Sequence, residues 1–230
     1  MILAHLPEVN YVNPFAKVSD WQWVLNHLHY VWVALSRTHL YLALVPVVVG
    51  LALSIPLGVL ALRVRWLYAP LLAVTSVLYT IPSVAAFGVL IFVTGLTDTT
   101  VLIPLTVYAV ALLIRSVIDG LRNVPDEVRI AATAMGYRPL RRLLTVELPA
   151  AIPVITAGLR VTTMASISLV TVGSLIGIGG LGQLFIAGEN ANFLTEIIVG
   201  IVAVAAWAFL LDLLIVLAGR YLSPWARRAS

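Results

Sequence analysis

The residues whose types and spacing could support chemistry or binding are concentrated between positions 124 and 149. Of the 14 basic and 10 acidic side chains in the chain, seven lie there: Asp126, Glu127, Arg129, Arg138, Arg141, Arg142 and Glu147. None of the 4 histidines lies in this stretch, and the chain has no cysteine. The stretch therefore offers no thiol nucleophile and no metal-ligand cluster. The pattern favours a charged docking surface, and we predict no catalytic residue, no metal site and no cofactor bound by this chain.

The local sequence of this stretch predicts a pair of short helices. Pro125 followed by two acidic residues is typical of a helix start, because acids in the first turn face the positive end of the helix dipole. Gly136 is well placed to end that helix. A second helix over residues 140–147 is predicted to stop at Pro149, since a helix usually ends before a proline.

The composition of the chain indicates an all-α, polytopic integral membrane protein. Hydrophobic residues make up 61% of it, charged residues only 10%, and the mean hydropathy is +1.05. Soluble domains carry about 25% charged residues. The net charge of +4 does not indicate a nucleic-acid partner, because basic residues in a membrane protein mostly set its topology.

Five apolar stretches are long enough to cross a hydrocarbon core of ~30 Å. They cover residues 41–62, 69–93, 101–118, 150–176 and 193–222, and the second is interrupted at residues 80–83. Residues 21–36 are rich in Trp and Tyr, which favour the membrane boundary. They are predicted to form an interfacial helix or a lead-in to the first span, or a sixth span if they cross. The predicted divisions are an N-terminal segment 1–40, a transmembrane domain 41–222 and a tail 223–230.

The distribution of charge predicts the orientation of the chain. Under a five-span count, one side carries Arg63, Arg65, the arginines of residues 115–142, Arg220, Arg227 and Arg228. The opposite loops carry Asp98, Glu189 and Glu196 and no Lys or Arg. The positive-inside rule places the basic side in the cytoplasm. The charged helix pair and the C-terminus are therefore predicted to be cytoplasmic.

A spaced motif lies within the charged stretch. Ile130-Ala131-Ala132 is followed after three residues by Gly136, and after nine more by Val146-Glu147-Leu148-Pro149. This resembles the cytoplasmic signature of the permease subunits of binding-protein-dependent ABC importers. The sequence departs from that pattern at Ile130, where the family usually has Glu. Glu127 lies one helical turn earlier.

Three further segments resemble the glycine betaine, carnitine and choline permeases of that superfamily. They are residues 79–83, residues 147–160 and the glycine-rich residues 176–182. The resemblance implies two permease subunits, identical or similar, in a bacterial cell membrane, which rest on separate ATPase subunits that bind the ATP. It also implies an external binding protein that delivers an osmoprotectant such as glycine betaine, choline, carnitine or proline. An importer of an amino acid or other small solute is the alternative within the class.

Two other classes of function are weaker. A channel or secondary transporter has the same hydropathy but no reason to carry the 130–149 signature. A membrane-embedded enzyme would need clustered His, Asp, Glu or Ser near one surface, and no such cluster stands out in the sequence. The chain contains no Gly-x-x-x-x-Gly-Lys-Ser/Thr motif. The glycines of residues 177–182 lack the lysine of such a loop, and we expect either a flexible segment near the outer gate or a simple turn.

The resemblance places ATPase-coupling residues on the helix pair. These are Glu127, Ala131, Ala132, Gly136, Val146, Leu148 and Pro149. The small side chains of Ala131 and Ala132 would allow close approach to a partner. Gly136 would permit a sharp turn, and Leu148-Pro149 would fix the exit into the fourth span.

Charged and aromatic residues within the spans give the remaining candidates. Intramembrane charges are costly and indicate function or pairing. We predict that Arg160 pairs with Asp212 and holds two spans in register; the rival hypothesis is that Arg160 faces the pathway. Tyr79, Phe87 and Trp207 are possible pathway residues, since aromatic faces attract quaternary ammonium groups.

Overall fold

The computed structural model describes residues 21–225, and all regular structure in that range is helical. Eight helical segments follow one another along the chain. They are α1 (Gln22–Arg63), α2 (Arg65–Thr80), α3 (Ser83–Thr94), α4 (Asp98–Arg122), α5 (Asp126–Ala134), α6 (Pro139–Ile176), α7 (Gln183–Asn190) and α8 (Leu194–Leu222). Four of them are long and apolar enough to cross a membrane, and the bent pair α2–α3 makes a fifth span if it is counted as one. This agrees with the predicted all-α polytopic class.

Helix α1 is longer than the predicted first span. It runs for 42 residues, or ~63 Å at 1.5 Å per residue. A π turn at Tyr30–Leu35 widens it, and the Ser36 hydroxyl donates to the Val31 carbonyl at 3.0 Å. Residues 21–36 are therefore a continuous lead-in to the first span rather than a separate crossing. The helix also continues without a break through residue 40, the predicted boundary between the N-terminal segment and the transmembrane domain. Residues 1–20 and 226–230 of the predicted N-terminal segment and tail lie outside the described residues.

The interruption predicted at residues 80–83 is present. Helices α2 and α3 meet there at an angle of 90°. Ile81 is extended, with ψ 125°, because the ring of Pro82 disfavours a helical conformation at the residue before it. The freed Ile81 carbonyl accepts a hydrogen bond of 2.7 Å from the hydroxyl of Tyr108 on α4.

Helix α4 is the internal support of the fold, packed between α1 and α6 with α2 alongside. A Cβ added at Gly50 on α1 would lie 2.7 Å from the Ala109 Cβ. A Cβ at Gly158 on α6 would overlap the side chain of Ser116. Small residues thus let three helix backbones approach closely, which is how transmembrane helices gain packing energy. On the α2 side, Arg115 donates to the Ser76 hydroxyl.

The glycine-rich segment, at the end of the spans opposite the charged helix pair, is tightly packed. Gly180, Leu181 and Gly182 are buried, and a Cβ at Gly180 would lie 2.6 Å from the backbone nitrogen of His39. The fully buried His39 makes a 3.3 Å contact from Nδ1 to the Gly179 carbonyl. This packing does not fit the flexible-segment alternative. The loop follows the fourth span in the chain and packs against α1 at His39.

Candidate coupling site

Helix α5 of the charged stretch begins and ends as its sequence predicts. Pro125 precedes Asp126, and Gly136 follows the helix with φ +82°. The Tyr137 N–H donates to the Ala132 carbonyl at 3.1 Å and the Gly136 N–H to the Thr133 carbonyl at 2.9 Å. These two bonds form a Schellman motif. No atom of the described residues 21–225 lies within 4 Å of a Cβ at Gly136, so the preference for glycine there comes from the backbone conformation.

One face of α5 is open to a partner. We call Glu127, Ile130, Ala131 and Ala134 the coupling face, since residues three and four apart share a side of a helix. All four are exposed, and Ile130 is 68% exposed. Ala132 is only 1% exposed, because its side of α5 packs on the chain itself. The prediction that both alanines approach a partner is therefore wrong for Ala132.

The second helix of the pair does not stop at Pro149. Helix α6 runs without a break for 38 residues, from the charged stretch through the fourth span. A π turn at Leu143–Glu147 precedes Pro149. In such a turn a carbonyl bonds to the N–H five residues on, so the N–H that Pro149 lacks is not required. Leu148 and Pro149 thus continue the helix, with Val146 and Leu148 partly buried.

Two arginines contact Glu147 at the end of the spans nearest α5. We call Glu147, Arg129 and Arg142 the Glu147 clamp. Arg142 Nε donates to Oε1 of Glu147 at 2.7 Å, and Arg129 Nε lies 3.8 Å from Oε2. The Glu147 side chain is 12% exposed. This carboxylate therefore joins α5 to α6 in a partly desolvated position, where charge-assisted hydrogen bonds are stronger.

The clamp also reaches the third span. Arg129 Nη2 donates to the Leu121 carbonyl in the last turn of α4 at 2.6 Å. Arg142 Nη1 donates to the Thr133 hydroxyl at 2.9 Å. The clamp was missed from sequence because Arg142 and Glu147 are five residues apart, and such residues do not face each other on an α-helix. The π turn between them brings them together.

The structure contains an ion pair between Arg160 and Asp212, within one chain. Arg160 donates from Nε to Oδ1 at 2.7 Å and from Nη2 to Oδ2 at 2.8 Å, joining α6 to α8. The side chains remain 44% and 28% exposed. Because exposing charge to hydrocarbon is costly, we expect the open side of this pair to face water or another subunit.

The three aromatic candidates occupy different environments. Phe87 is fully buried among side chains of α1, α4 and α6, so the prediction that it lines a pathway is wrong. Trp207 donates from Nε1 to the Ser36 hydroxyl at 3.0 Å and packs between α8 and α1. Tyr79 is 44% exposed beside the bend of the second span, edge-on to Tyr108. Of the three, Tyr79 is the most accessible.

In the described residues, long spans surround a central helix, α4, and α5 with the first turns of α6 lies at one end of those spans. The chain belongs to the family of binding-protein-dependent transport system inner membrane components, which matches residues 43–228. This membership makes the chain a multi-pass membrane component of a transport system. A stand-alone channel or secondary transporter is therefore not supported.

Individual relatives narrow the comparison. Over 187 residues the chain is 36% identical to the glycine betaine/carnitine/choline transport system permease protein OpuCD of Bacillus subtilis (strain 168), covering 81% of this chain and 82% of that protein. It is 35% identical to the choline transport system permease protein OpuBD of the same organism, with 81% and 83% covered. The MetNI methionine ABC transporter, in an inward-facing conformation, has a similar fold, with a TM-score of 0.75 at 22% identity, over 85% of this chain and 97% of that one.

Proposed function

We propose that this chain is the translocation subunit of an ATP-driven importer of quaternary ammonium osmoprotectants such as glycine betaine, carnitine and choline. The observation that carries the proposal is the likeness, across four fifths of the chain, to permeases named for those solutes. The coupling site supports the ATP-driven mechanism, since its exposed face is joined by the Glu147 clamp to the spans that would move.

The partners follow from this role. Separate ATPase subunits dock on the coupling face and hydrolyse ATP, and the chain itself is non-catalytic. An external binding protein delivers the solute, and a second permease subunit, identical or similar, completes the pathway. With the arginine-rich end in the cytoplasm, the coupling site and the C-terminus lie where the ATPase subunits are.

The geometry gives a route for the motion. Closure of the ATPase subunits would displace the coupling face of α5. The Glu147 clamp would pass that displacement to the end of α4 and to α6, which continues without a joint through the membrane. The spans would then tilt as rigid bodies, and the pathway would open alternately to the two sides.

The proposal for the solute-facing surface rests on a single residue, Tyr79. Tyr79 presents an accessible ring beside the bend of the second span, and an aromatic face attracts a quaternary ammonium group. Phe87 and Trp207 are engaged in packing. Solute tests must distinguish an osmoprotectant importer from an amino acid importer.

The first experiment is co-purification of the tagged chain from mild detergent. We expect an ATPase subunit to accompany the wild-type chain. Ala131→Trp places a large side chain on the exposed coupling face and is expected to abolish that association. Asn123→Trp, at an exposed position before α5, is the matched control and is expected to retain it. Equal association of both variants would contradict the assigned docking surface.

The second experiment measures solute uptake by proteoliposomes that contain the co-purified complex and its binding protein. We expect ATP-dependent uptake of labelled glycine betaine, choline or carnitine, and no uptake of methionine. Uptake of an amino acid alone would overturn the osmoprotectant assignment but leave the importer assignment intact. Absence of ATP-dependent uptake of any solute, from a complex that retains its ATPase, would contradict both.

A further inference from the structure

A polar cavity lies between the spans and the coupling helices. Its volume is about 380 Å³, and its walls come from the ends of α1 and α4, from α5 and from the first turns of α6. The Glu147 clamp forms one side of it. None of the four coupling-face residues is among the residues that line it.

The charges around this cavity do not balance. Four arginines line it, at positions 63, 122, 129 and 142, with two acids, Asp126 and Glu147. Glu147 pairs with the two arginines of the clamp, and Asp126 accepts a hydrogen bond of 3.2 Å from Arg129 Nη1. Both carboxylates are therefore engaged by the same two arginines.

Within residues 21–225, neither of the other two arginines has an acidic partner, and the Arg63 side chain makes no hydrogen bond. Arg122 donates to the Tyr68 hydroxyl at 3.0 Å and lies over that ring, 4.1 Å from its centroid. Within the same range, the buried Nε of Arg129 has no hydrogen-bond acceptor. Unused guanidinium donors around one cavity indicate an anionic ligand that carries several oxygen atoms.

The position of these arginines at the span ends, and the apolar residues beside them in the cavity, indicate which kind of anionic ligand fits. Arg63 and Arg122 are the last residues of the first and third spans, which places them at the level of the lipid headgroups. Val59, Leu62 and Leu121 line the same cavity and provide an apolar surface beside the arginines. We propose that this cavity binds a phosphate group, and that its source is the headgroup of an acidic phospholipid in the cytoplasmic leaflet. Basic pockets between helices on this side of a membrane bind such headgroups.

The test is lipid retention by the purified chain in native mass spectrometry, with phosphatidylglycerol and phosphatidylcholine of the same acyl chains offered in equal amounts. The wild-type chain is expected to retain phosphatidylglycerol preferentially. Arg63→Gln is expected to weaken that retention about fivefold, the effect of one basic side chain near an acidic headgroup. Arg65→Gln removes the same charge two residues away, outside the cavity lining, and is expected to leave retention unchanged.

A second pair of variants extends the test to Arg122. Adding Arg122→Gln to Arg63→Gln is expected to weaken retention about thirtyfold in total. Tyr68→Phe removes the hydroxyl that Arg122 contacts without changing charge, and is expected to have little effect. Equal losses in Arg63→Gln and Arg65→Gln, or equal retention of the two lipids by the wild-type chain, would overturn the proposal.

A competition experiment identifies the source of the phosphate. Inorganic phosphate and glycerol phosphate are titrated into the lipid-bound wild-type chain and into Arg63→Gln. Persistence of phosphatidylglycerol supports a lipid ligand. Displacement from the wild-type chain by millimolar phosphate supports the phosphate site but overturns the lipid as its source. These outcomes are independent of the transported solute, so the site can fail or stand without changing the proposed function.

Discussion

Helices α4 and α8 are both apolar membrane spans, yet they occupy opposite positions in the fold. In the most apolar window of α4, 56% of the residues are buried inside the chain, against 6% for α8. Helix α4 contacts α1, α2 and α6, whereas α8 leaves side chains such as Phe209 72% exposed. Composition therefore does not distinguish an internal span from a peripheral one.

The close contacts of the two helices do distinguish them. Gly50, Gly58 and Gly158 from neighbouring helices all meet side chains of α4, so its position is fixed by shape. Helix α8 is held to α6 by Gly219 against Thr156 and by the Arg160–Asp212 pair. Its large apolar surface is the one we expect lipid and the second permease subunit to cover. The predictions below test this contrast.

The largest effect is expected where shape holds α4. Gly158→Leu forces a side chain into Ser116, and overpacking of this kind costs ~1–3 kcal/mol or more. We expect a large loss of folded protein, measured by fluorescence-detected size-exclusion chromatography of detergent extracts. Gly88→Leu is the control, since no atom in the part of the chain that the structure describes lies within 4 Å of a Cβ at that position. Equal yields of the two variants would contradict the central position of α4.

The next effect is expected where charge holds α8. Arg160→Asp and Asp212→Arg each place like charges together, and each is expected to lower solute uptake roughly tenfold, as contacting charges couple strongly. The double exchange restores opposite charges and should recover much of the uptake. A double variant no better than either single one would show that the pair does more than hold α6 and α8 together, and would favour a role for Arg160 in the pathway.

A smaller and more selective effect is expected at the base of α4. Glu147→Gln weakens the clamp that joins α4, α5 and α6. We expect solute-stimulated ATP hydrolysis by the complex to fall several-fold, with basal hydrolysis unchanged, because the clamp is proposed to transmit motion and not to bind nucleotide. Asp126→Asn is the control, since that side chain is 84% exposed and exposed ion pairs contribute little. A parallel fall in basal hydrolysis would indicate a purely structural role.

The smallest effect is expected at the turn of the coupling pair. Gly136→Ala places a side chain at φ +82°, at a cost of about 1 kcal/mol. Gly136→Asn should cost less, because Asn tolerates this conformation. Thermal unfolding of the purified chain measures both. A cost for Asn equal to that for Ala would contradict backbone strain as the reason for glycine at position 136.

The predictable parts of this molecule are those with a local physical cause. Pro82 forces an extended residue before it, Gly136 supplies a positive φ, and hydropathy marks the spans. Arg160 and Asp212 could be paired from sequence because unpaired charges in a membrane are too costly. In each case one residue's chemistry restricts the structure around it.

The features that were not predicted depend on contacts between residues that are distant in the sequence, or on local helix geometry that the residue pattern does not reveal. Pro149 was expected to end a helix, but the π turn before it removes the conflict, and the same turn creates the clamp. Phe87 was expected in a pathway, since hydropathy does not say which side of a span is buried. The proposed phosphate site required residues from both span ends, which only the fold brings together.

The length of α1 has a mechanical consequence. The helix touches the proposed phosphate cavity at Arg63 and the packed glycine loop at His39, and its first turns lie against α8, with Trp23 beside Phe193. A helix of ~63 Å that moved as one body, pivoting near its middle by ~10°, would move each end by ~5 Å, in opposite directions. Under the proposed function, helix α1 would then be a lever, through which a small displacement at its Arg63 end becomes an opposite displacement at its Trp23 end, on the face where a binding protein would arrive.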